Sequence, residues 1–217
     1  MAHAATEAHY EEGLGVYAQK VGMWVFLCSE VMFFTALIGS YIILRWGSST
    51  NWPNPTTVLN IPVTATNTFI LICSSVSMVK AYVAAVHDDQ AGLKKWLLIT
   101  VLGGATFVGV QVFEYLHLMH IGFLPSGVRE GSELAERILA NGGNLAQYGQ
   151  FGSTFYTMTG FHGFHVTCGV ISMAWVAKRA FQGHYTGGRF QGIETVGLYW
   201  HFVDLVWIIL FTIVYLF

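Results

Sequence analysis

The sequence predicts an all-α polytopic membrane protein, a single bundle of five transmembrane helices. Of the 217 residues, 54% are hydrophobic and only 10% are charged, so most of the surface cannot face water. Five long apolar stretches carry nearly all of this hydrophobicity. Each is long enough to cross a bilayer at about 1.5 Å of rise per residue. The segments between them are too short and polar to form a separate soluble domain.

The charge and cysteine content exclude two classes of function. A formal net charge of −2 gives no case for binding nucleic acid. The three cysteines, Cys28, Cys73 and Cys168, each fall within a predicted helix, and their spacing matches no metal site. We therefore interpret them as small buried hydrophobic side chains.

A polar, acidic arm is predicted for residues 1–19, followed by a membrane domain over residues 20–217. The arm lacks the features of a secretory signal, so we expect the first membrane helix to be retained. That helix spans about residues 21–46 and is interrupted only by Ser29 and Glu30. A charge near the middle of a bilayer costs roughly 2.5 to 3.5 kcal/mol on insertion scales. We therefore expect Glu30 to have either a polar partner or a function.

The second and third helices are predicted to form an antiparallel hairpin. The second helix spans about residues 64–86 and carries serine or threonine every few positions. Small polar residues allow helices to approach closely, so at least one face of this helix should pack on protein. A short loop over residues 87–92 leads to the third helix, at about residues 93–120.

The last two helices follow the longest loop. Within that loop, at residues 121–150, the part from Ser132 to Ala140 is compatible with a short surface helix. The fourth helix spans about residues 151–177 and contains the string GFHGFHV. The fifth spans about residues 193–217 and contains YWHFVDLVW.

The distribution of basic residues predicts the direction in which the chain crosses the membrane. Positive charges in short loops are retained on the cytoplasmic side. Seven lysines and arginines fall on the side shared by the N-terminus and the loops after the second and fourth helices, and three fall on the other side. The N-terminus is therefore predicted to be cytoplasmic and the C-terminus outside.

One motif in the third helix is half of a metal site. Glu114 and His117 form E-x-x-H, whose spacing points both groups the same way. Di-iron sites in helical bundles use this motif twice, and the chain has no second copy. A metal site would have to recruit Glu30, His162, His165 or His201 from other helices. We favour an interhelical hydrogen-bonded pair over a bound metal.

Two further pairs lie at the same spacing. His162 and His165 share one face of the fourth helix, and two histidines so placed can ligate a metal or a haem. The sequence shows no dedicated haem pocket, so we favour hydrogen bonds across a helix interface. His201 and Asp204 share one face of the fifth helix and mark where it meets protein rather than lipid.

Glu30 is the acid with the strongest case for a function. A buried carboxyl group can serve a proton path, a lipid headgroup or a polar contact with another subunit. These alternatives stay open from the residues alone, with a structural contact favoured.

Four strings resemble a known family. They are VGMWVFLCSEVMFFTALIGSY in the first helix, QVFEY in the third, GSTFYTMTGFHGFHV in the fourth and LYWHFVDLVWIILF in the fifth. In content and order they are similar to subunit III of the haem-copper cytochrome c oxidases. The longer members of that family have seven helices, of which the last five would correspond to this chain, and short five-helix forms are bacterial.

The resemblance implies a supporting role rather than catalysis. The family subunit holds no haem or copper. It packs against subunit I, which carries the haems and a copper, while subunit II receives electrons from cytochrome c. The implied role is to bind phospholipids, to stabilise the active site over many turnovers and to aid proton uptake in a proton-pumping oxidase of a bacterial inner (plasma) membrane. Membership of a respiratory supercomplex is left open.

The resemblance also carries over residue by residue. Glu30 matches the family's membrane-embedded acid, and none of the matching positions is catalytic. The others match its intramembrane polar positions, which are Glu114, His162, His165, His201 and Asp204. The alternatives are subunit III of a quinol oxidase and, from another class, a stand-alone membrane di-metal enzyme.

Overall fold

The computed structural model describes residues 17–47, 52–187 and 189–216, and most of these are helical. Residues 1–16, which make up most of the predicted N-terminal arm, lie outside the described residues. The described part contains five long helices and a short one, α4, at Glu133–Ala140. The long helices are α1 Ala18–Gly47, α2 Ile61–Val86, α3 Gln90–His120, α5 Gln147–Phe181 and α6 Gln191–Phe211.

Each long helix begins two to four residues before its predicted start. The apolar runs locate the lipid-facing part of a helix, whereas polar first turns extend it further. At the start of α3, for example, the Asp89 carboxylate accepts a hydrogen bond of 2.9 Å from the Gly92 backbone N–H. After α6 the chain continues as a π-helical turn over Thr212–Leu216.

Among the described residues, four helices are long and apolar enough to cross a membrane, namely α1, α2, α3 and α6 with its π-helical turn. The predicted polytopic helical membrane protein is confirmed to this extent. α5 has 35 residues, which is ample length, but its glycines, threonines and two histidines make it less apolar than the others. The count of five spans and the direction of crossing stay predictions.

The long helices form a closed ring of four with the fifth outside it. α2 packs on α3, α3 on α5, α5 on α6, and α6 back on α2. Aromatic side chains fill the interior of this ring, and Trp200, Trp207, Phe107 and Phe155 are among the largest fully buried residues. α1 packs on α6 and α5 from outside.

α1 meets the ring along a narrow seam. Its buried residues are Leu27, Phe34 and Tyr41, which are seven residues apart and therefore lie on one stripe of the helix. Phe34 packs against Phe202 of α6, with 6.3 Å between ring centroids. Most of the remaining surface of α1 is exposed and apolar, which suits contact with lipid or with another protein. Cys28 lies on this surface, and Cys73 of α2 is also exposed, so the prediction that the cysteines are buried is wrong for both.

The long loop between α3 and α5 is ordered by two small elements. Strand β1, Phe123–Leu124, pairs antiparallel with β2, Gly127–Val128. Gly127 has φ of +121°, a value that glycine tolerates and other residues rarely adopt. The predicted short helix is present as α4, and the Ser132 hydroxyl accepts the Ala135 N–H at 3.2 Å to cap its start. The strands, at two residues each, are too short to leave an alternating pattern in the sequence.

Candidate functional site

Glu30 lies near the middle of α1 and meets a histidine of α5. Its Oε2 atom is 3.0 Å from Nε2 of His165, and the two side chains are only 16% and 12% exposed. The sequence singled out both residues but did not pair them, because 135 residues separate them. His165 is thus the polar partner of Glu30 within the helix bundle.

The hydrogen bond made by the second ring nitrogen of His165 limits how protons are distributed over the Glu30–His165 pair. Nδ1 lies 2.7 Å from the backbone carbonyl oxygen of Phe161, and a carbonyl only accepts, so Nδ1 carries a proton and donates it. Nε2 then either donates to a carboxylate or accepts from a protonated carboxyl group of Glu30. In both arrangements the pair has no net charge and holds one proton between Oε2 and Nε2.

Apolar and aromatic groups surround this pair. The Phe34 ring centroid lies 5.1 Å from that of His165, and the Phe33 and Phe164 ring centroids lie at 6.3 and 5.8 Å. On the side of α6, the Tyr199 hydroxyl donates to the His165 backbone carbonyl at 2.9 Å. Groups of α1 and α5 therefore position the His165 ring, while α6 holds its backbone carbonyl.

Glu114 and His117, the E-x-x-H residues, make separate contacts. Glu114 is buried at 8% exposure, and its Oε1 atom lies 3.0 Å from the Thr64 hydroxyl of α2. His117 is exposed and lines an open groove of about 640 Å³ that also contains Glu133 and Arg137. Side chains three residues apart on a helix differ by roughly 60° in direction, and here that difference separates the ring interior from the groove.

His162 is fully buried within the ring of helices. Its ring stacks on Trp207 at a centroid distance of 4.8 Å and contacts the edge of Phe107 at 6.1 Å. Neither ring nitrogen has a hydrogen-bond partner among the described residues. His162 and His165 thus differ sharply, since only His165 makes the interhelical hydrogen bond expected of both.

His201 and Asp204 of α6 face α2. His201 Nδ1 lies 2.7 Å from the Ser75 hydroxyl, and Asp204 is buried at 7% exposure. Both residues thus lie on the side of α6 that packs on α2.

The same interface contains two more hydrogen bonds between α6 and α2. Trp200 donates from Nε1 to the Ser74 hydroxyl at 3.2 Å, and Trp207 donates to the Thr68 hydroxyl at 2.9 Å. The repeated serines and threonines of the second helix therefore accept from the indole groups of the last one. The hydroxyl pattern indicated a protein-facing side but did not identify the partner helix.

A polar cluster at the start of α1 and α6 was not anticipated. Lys20 Nζ lies 2.5 Å from Glu194 Oε1, and the Tyr17 hydroxyl lies 3.0 Å from Glu194 Oε2. Burial raises the pKa of the Tyr17 hydroxyl, so this group stays protonated and able to donate. No local signal pairs residues that are 174 positions apart.

The candidate acids and histidines are distributed over separate helix contacts. Within residues 17–47, 52–187 and 189–216, no group of three or more His, Cys, Asp or Glu side chains is arranged to hold a metal ion. Glu30 contacts His165, Glu114 contacts Thr64, and His201 contacts a serine. Within these ranges, the arrangement therefore supports polar contacts between helices and, at Glu30, the holding of a proton.

Comparison with known proteins gives consistent results. The chain matches the cytochrome c oxidase subunit III family over residues 5–121 and 144–217. It is 38% identical to a cytochrome c oxidase subunit 3 from Thermostichus vulcanus, over 90% of this chain and 86% of that protein. Probable cytochrome c oxidase subunits 3 from Nocardia farcinica and Mycobacterium tuberculosis are 36% and 38% identical over the same shares.

Proposed function

Because this chain belongs to the cytochrome c oxidase subunit III family, we propose that it is the non-catalytic subunit III of an aerobic respiratory haem-copper terminal oxidase. In this proposal it packs beside subunits I and II in a bacterial inner membrane. Those subunits hold the haems and copper, pass electrons from cytochrome c to O2 and pump protons. This chain stabilises the catalytic subunit, binds phospholipid and supports proton uptake.

The Glu30 and His165 pair is the observation that carries the functional part of the proposal. It places one transferable proton between two helices, at a depth where unpaired ionisable groups are costly. Both side chains retain some exposure, 16% and 12%, at the surface of the isolated chain. A neighbouring subunit or lipid that covers this surface would then be in contact with a group able to give or take a proton.

The exposed surface of α1 supports packing against a partner. In the most apolar stretch of α1 only 11% of residues are buried, compared with 44% in α2 and in α6. α1 therefore contributes most of its surface to whatever surrounds the chain. We propose that subunit I and ordered phospholipids share this surface, and that the lysine and glutamate at its start hold the helix in place.

Isolation from the native membrane tests the proposal at the level of composition. We expect an affinity-tagged chain, extracted in mild detergent, to bring haem-containing subunits with it at a fixed ratio. Visible spectroscopy of the co-purified complex should show haem absorption. When this chain is separated from the other subunits, the haem absorption should stay with those subunits and be absent from this chain. A solitary chain with stoichiometric iron of its own would refute the proposal and favour the di-metal alternative. Oxidation of quinol but not cytochrome c by the isolated complex would identify a quinol oxidase.

Substitution of Glu30 tests the proton-related role. The change Glu30→Gln keeps the size of the side chain and a hydrogen bond to His165, but it removes the shared proton. We expect unchanged haem spectra and unchanged subunit composition, with a several-fold loss in the number of turnovers completed before the oxidase inactivates, or in the rate of proton uptake.

The matched control for this substitution is Glu114→Gln, which alters another buried acid whose partner is Thr64. It should leave turnover lifetime and proton uptake close to those of the unmodified oxidase. Loss of the haem signal in an intact Glu30→Gln complex would contradict a supporting role. Equal behaviour of the two variants would contradict a specific role for the pair.

A further inference from the structure

Two exposed lysines meet on one tryptophan beside the turn that joins α2 to α3. Nζ of Lys80 in α2 lies 4.4 Å from the centroid of the Trp96 ring in α3, and Nζ of Lys95 lies 5.5 Å from the centroid of the same ring. The face of an aromatic ring attracts an ammonium group. We call Lys80, Lys95 and Trp96 the hairpin cluster. It brings two positive charges to one place on the surface of the protein.

The charges of the hairpin cluster are not compensated by nearby acids. Neither Lys80 nor Lys95 forms an ion pair within the described ranges. The acids nearest in sequence bind other groups, since Asp88 accepts from the Gln90 side chain at 2.8 Å and Asp89 caps the start of α3. Two like charges that share one site repel each other, and an anion between them removes that repulsion. The cluster therefore favours an anionic ligand.

The depth of the hairpin cluster indicates what kind of anion it meets. Lys80 is six residues before the end of α2, and Lys95 is five residues after the start of α3. At a rise of 1.5 Å per residue, both lie about 7 to 9 Å from the turn. Toward the middle of the membrane, the surface continues with the exposed apolar side chains of Val76, Ile99 and Leu102. Lysine and tryptophan above such a surface are typical of the headgroup region of a bilayer.

We propose that the hairpin cluster binds the phosphate of an anionic phospholipid, whose acyl chain lies along the apolar surface of α2 and α3 below it. The two ammonium groups donate to phosphate oxygens, and the Trp96 ring packs beside the glycerol region. An acidic segment of a soluble partner would match the charges but not the apolar surface. The site needs only that α2 and α3 cross the membrane, so it does not depend on the Glu30–His165 pair or on the proposed oxidase role.

Native mass spectrometry of the purified full chain in detergent tests this inference. The chain is titrated with phosphatidylglycerol and, separately, with phosphatidylcholine of the same acyl chains. We expect phosphatidylglycerol to bind several-fold more tightly, because the choline group offsets the charge of its own phosphate. A lysine near an anionic lipid surface contributes about fivefold to binding, so Lys80→Gln with Lys95→Gln should weaken phosphatidylglycerol binding roughly 10- to 30-fold. Equal binding of the two lipids, or no loss in the double variant, would overturn the proposal.

The matched control is the double variant Lys94→Gln with Lys178→Gln, which removes two charges at the same end of the bundle. These lysines do not share a ring, since Lys94 lies 5.8 Å from the Phe181 centroid and Lys178 lies 5.6 Å from the Trp175 centroid. We expect this variant to bind phosphatidylglycerol nearly as well as the unmodified chain. A loss as large as that of the hairpin-cluster variant would show attraction to the total charge and no defined site.

Two further measurements separate a lipid from other anions. Inorganic phosphate at the same concentration should not displace phosphatidylglycerol, because it has no acyl chain to contact α2 and α3. Displacement by phosphate would identify a plain anion site and overturn the lipid assignment. In the complex purified with its partner subunits, carbodiimide should not couple Lys80 or Lys95 to a carboxylate of another subunit. Such coupling would identify an acidic protein partner instead.

Discussion

Replacing Trp207 by alanine is expected to lower the free energy of unfolding by about 3 to 5 kcal/mol, the range found when a large aromatic side chain is removed from a packed core. Trp207 is fully buried, donates to Thr68 of α2 and stacks on His162 of α5. The change therefore leaves a large cavity and an imidazole without its stacking partner at the centre of the ring of four helices. The Thr68 hydroxyl loses the indole donor but still donates to the Thr64 carbonyl at 2.8 Å.

Equilibrium unfolding of the purified chain in mixed micelles measures this effect. Trp175→Ala is the matched control, because Trp175 is 60% exposed and its removal creates no internal cavity. A loss for Trp207→Ala no greater than for Trp175→Ala would show that the ring of helices is not held by its aromatic interior.

The second large effect is expected from Gly104→Val in α3. A Cβ atom at this position would lie 2.6 Å from Cη2 of Trp200 and 2.8 Å from a methyl carbon of Val170. Trp200 has little room to move, because another edge of its ring lies close to Gly169 of α5, where an added Cβ atom would be 3.0 Å from Cε3 of Trp200. Overpacking of this kind costs about 1 to 3 kcal/mol, which corresponds to a fall in melting temperature of roughly 2 to 12 °C for a chain of this size.

A glycine five residues along the same helix provides the control. No atom lies within 4 Å of a Cβ added at Gly109, so Gly109→Val makes the same chemical change, with the same loss of rotamer freedom, in open space. We expect the melting temperature of Gly109→Val to stay close to that of the unmodified protein. If both variants melt together, Trp200 is not confined between two glycines as the structure indicates.

The sequence was sufficient for the helices but not for their arrangement. Long apolar runs determine which segments are helical in a membrane, so each predicted helix starts within a few residues of the observed one. The arrangement of the helices depends on contacts between residues far apart in the chain, such as Lys20 with Glu194. A local sequence pattern does not predict such contacts. Strands of two residues likewise cannot be predicted from the alternation of apolar and polar residues, because they are too short to show it.

For the candidate site, too, the sequence identified individual residues but not the contacts between them. Glu30 was recognised as a residue that needs a partner or a function, because ionisable groups are costly in lipid, and His165 was predicted to hydrogen-bond across a helix interface. That they are each other's partner emerged only from the structure. For Glu114 and His117 the E-x-x-H spacing suggested a shared site, but the two side chains make separate contacts. Only Glu114 reaches the interior of the ring of helices.

The position of α1 has a consequence for biosynthesis. Lys20 and Glu194 are 174 residues apart, and α1 packs on α5 and α6, the last long helices to leave the ribosome. At translation rates of about 5 to 20 residues per second, α1 waits in the bilayer for roughly 10 to 35 seconds before α6 exists. Glu30 has no histidine beside it until α5 follows, because His165 lies 135 residues further along the chain. α1 thus completes its packing only after α6 has been synthesised, and a chain truncated before α5 would leave the Glu30 side chain in lipid without its histidine partner.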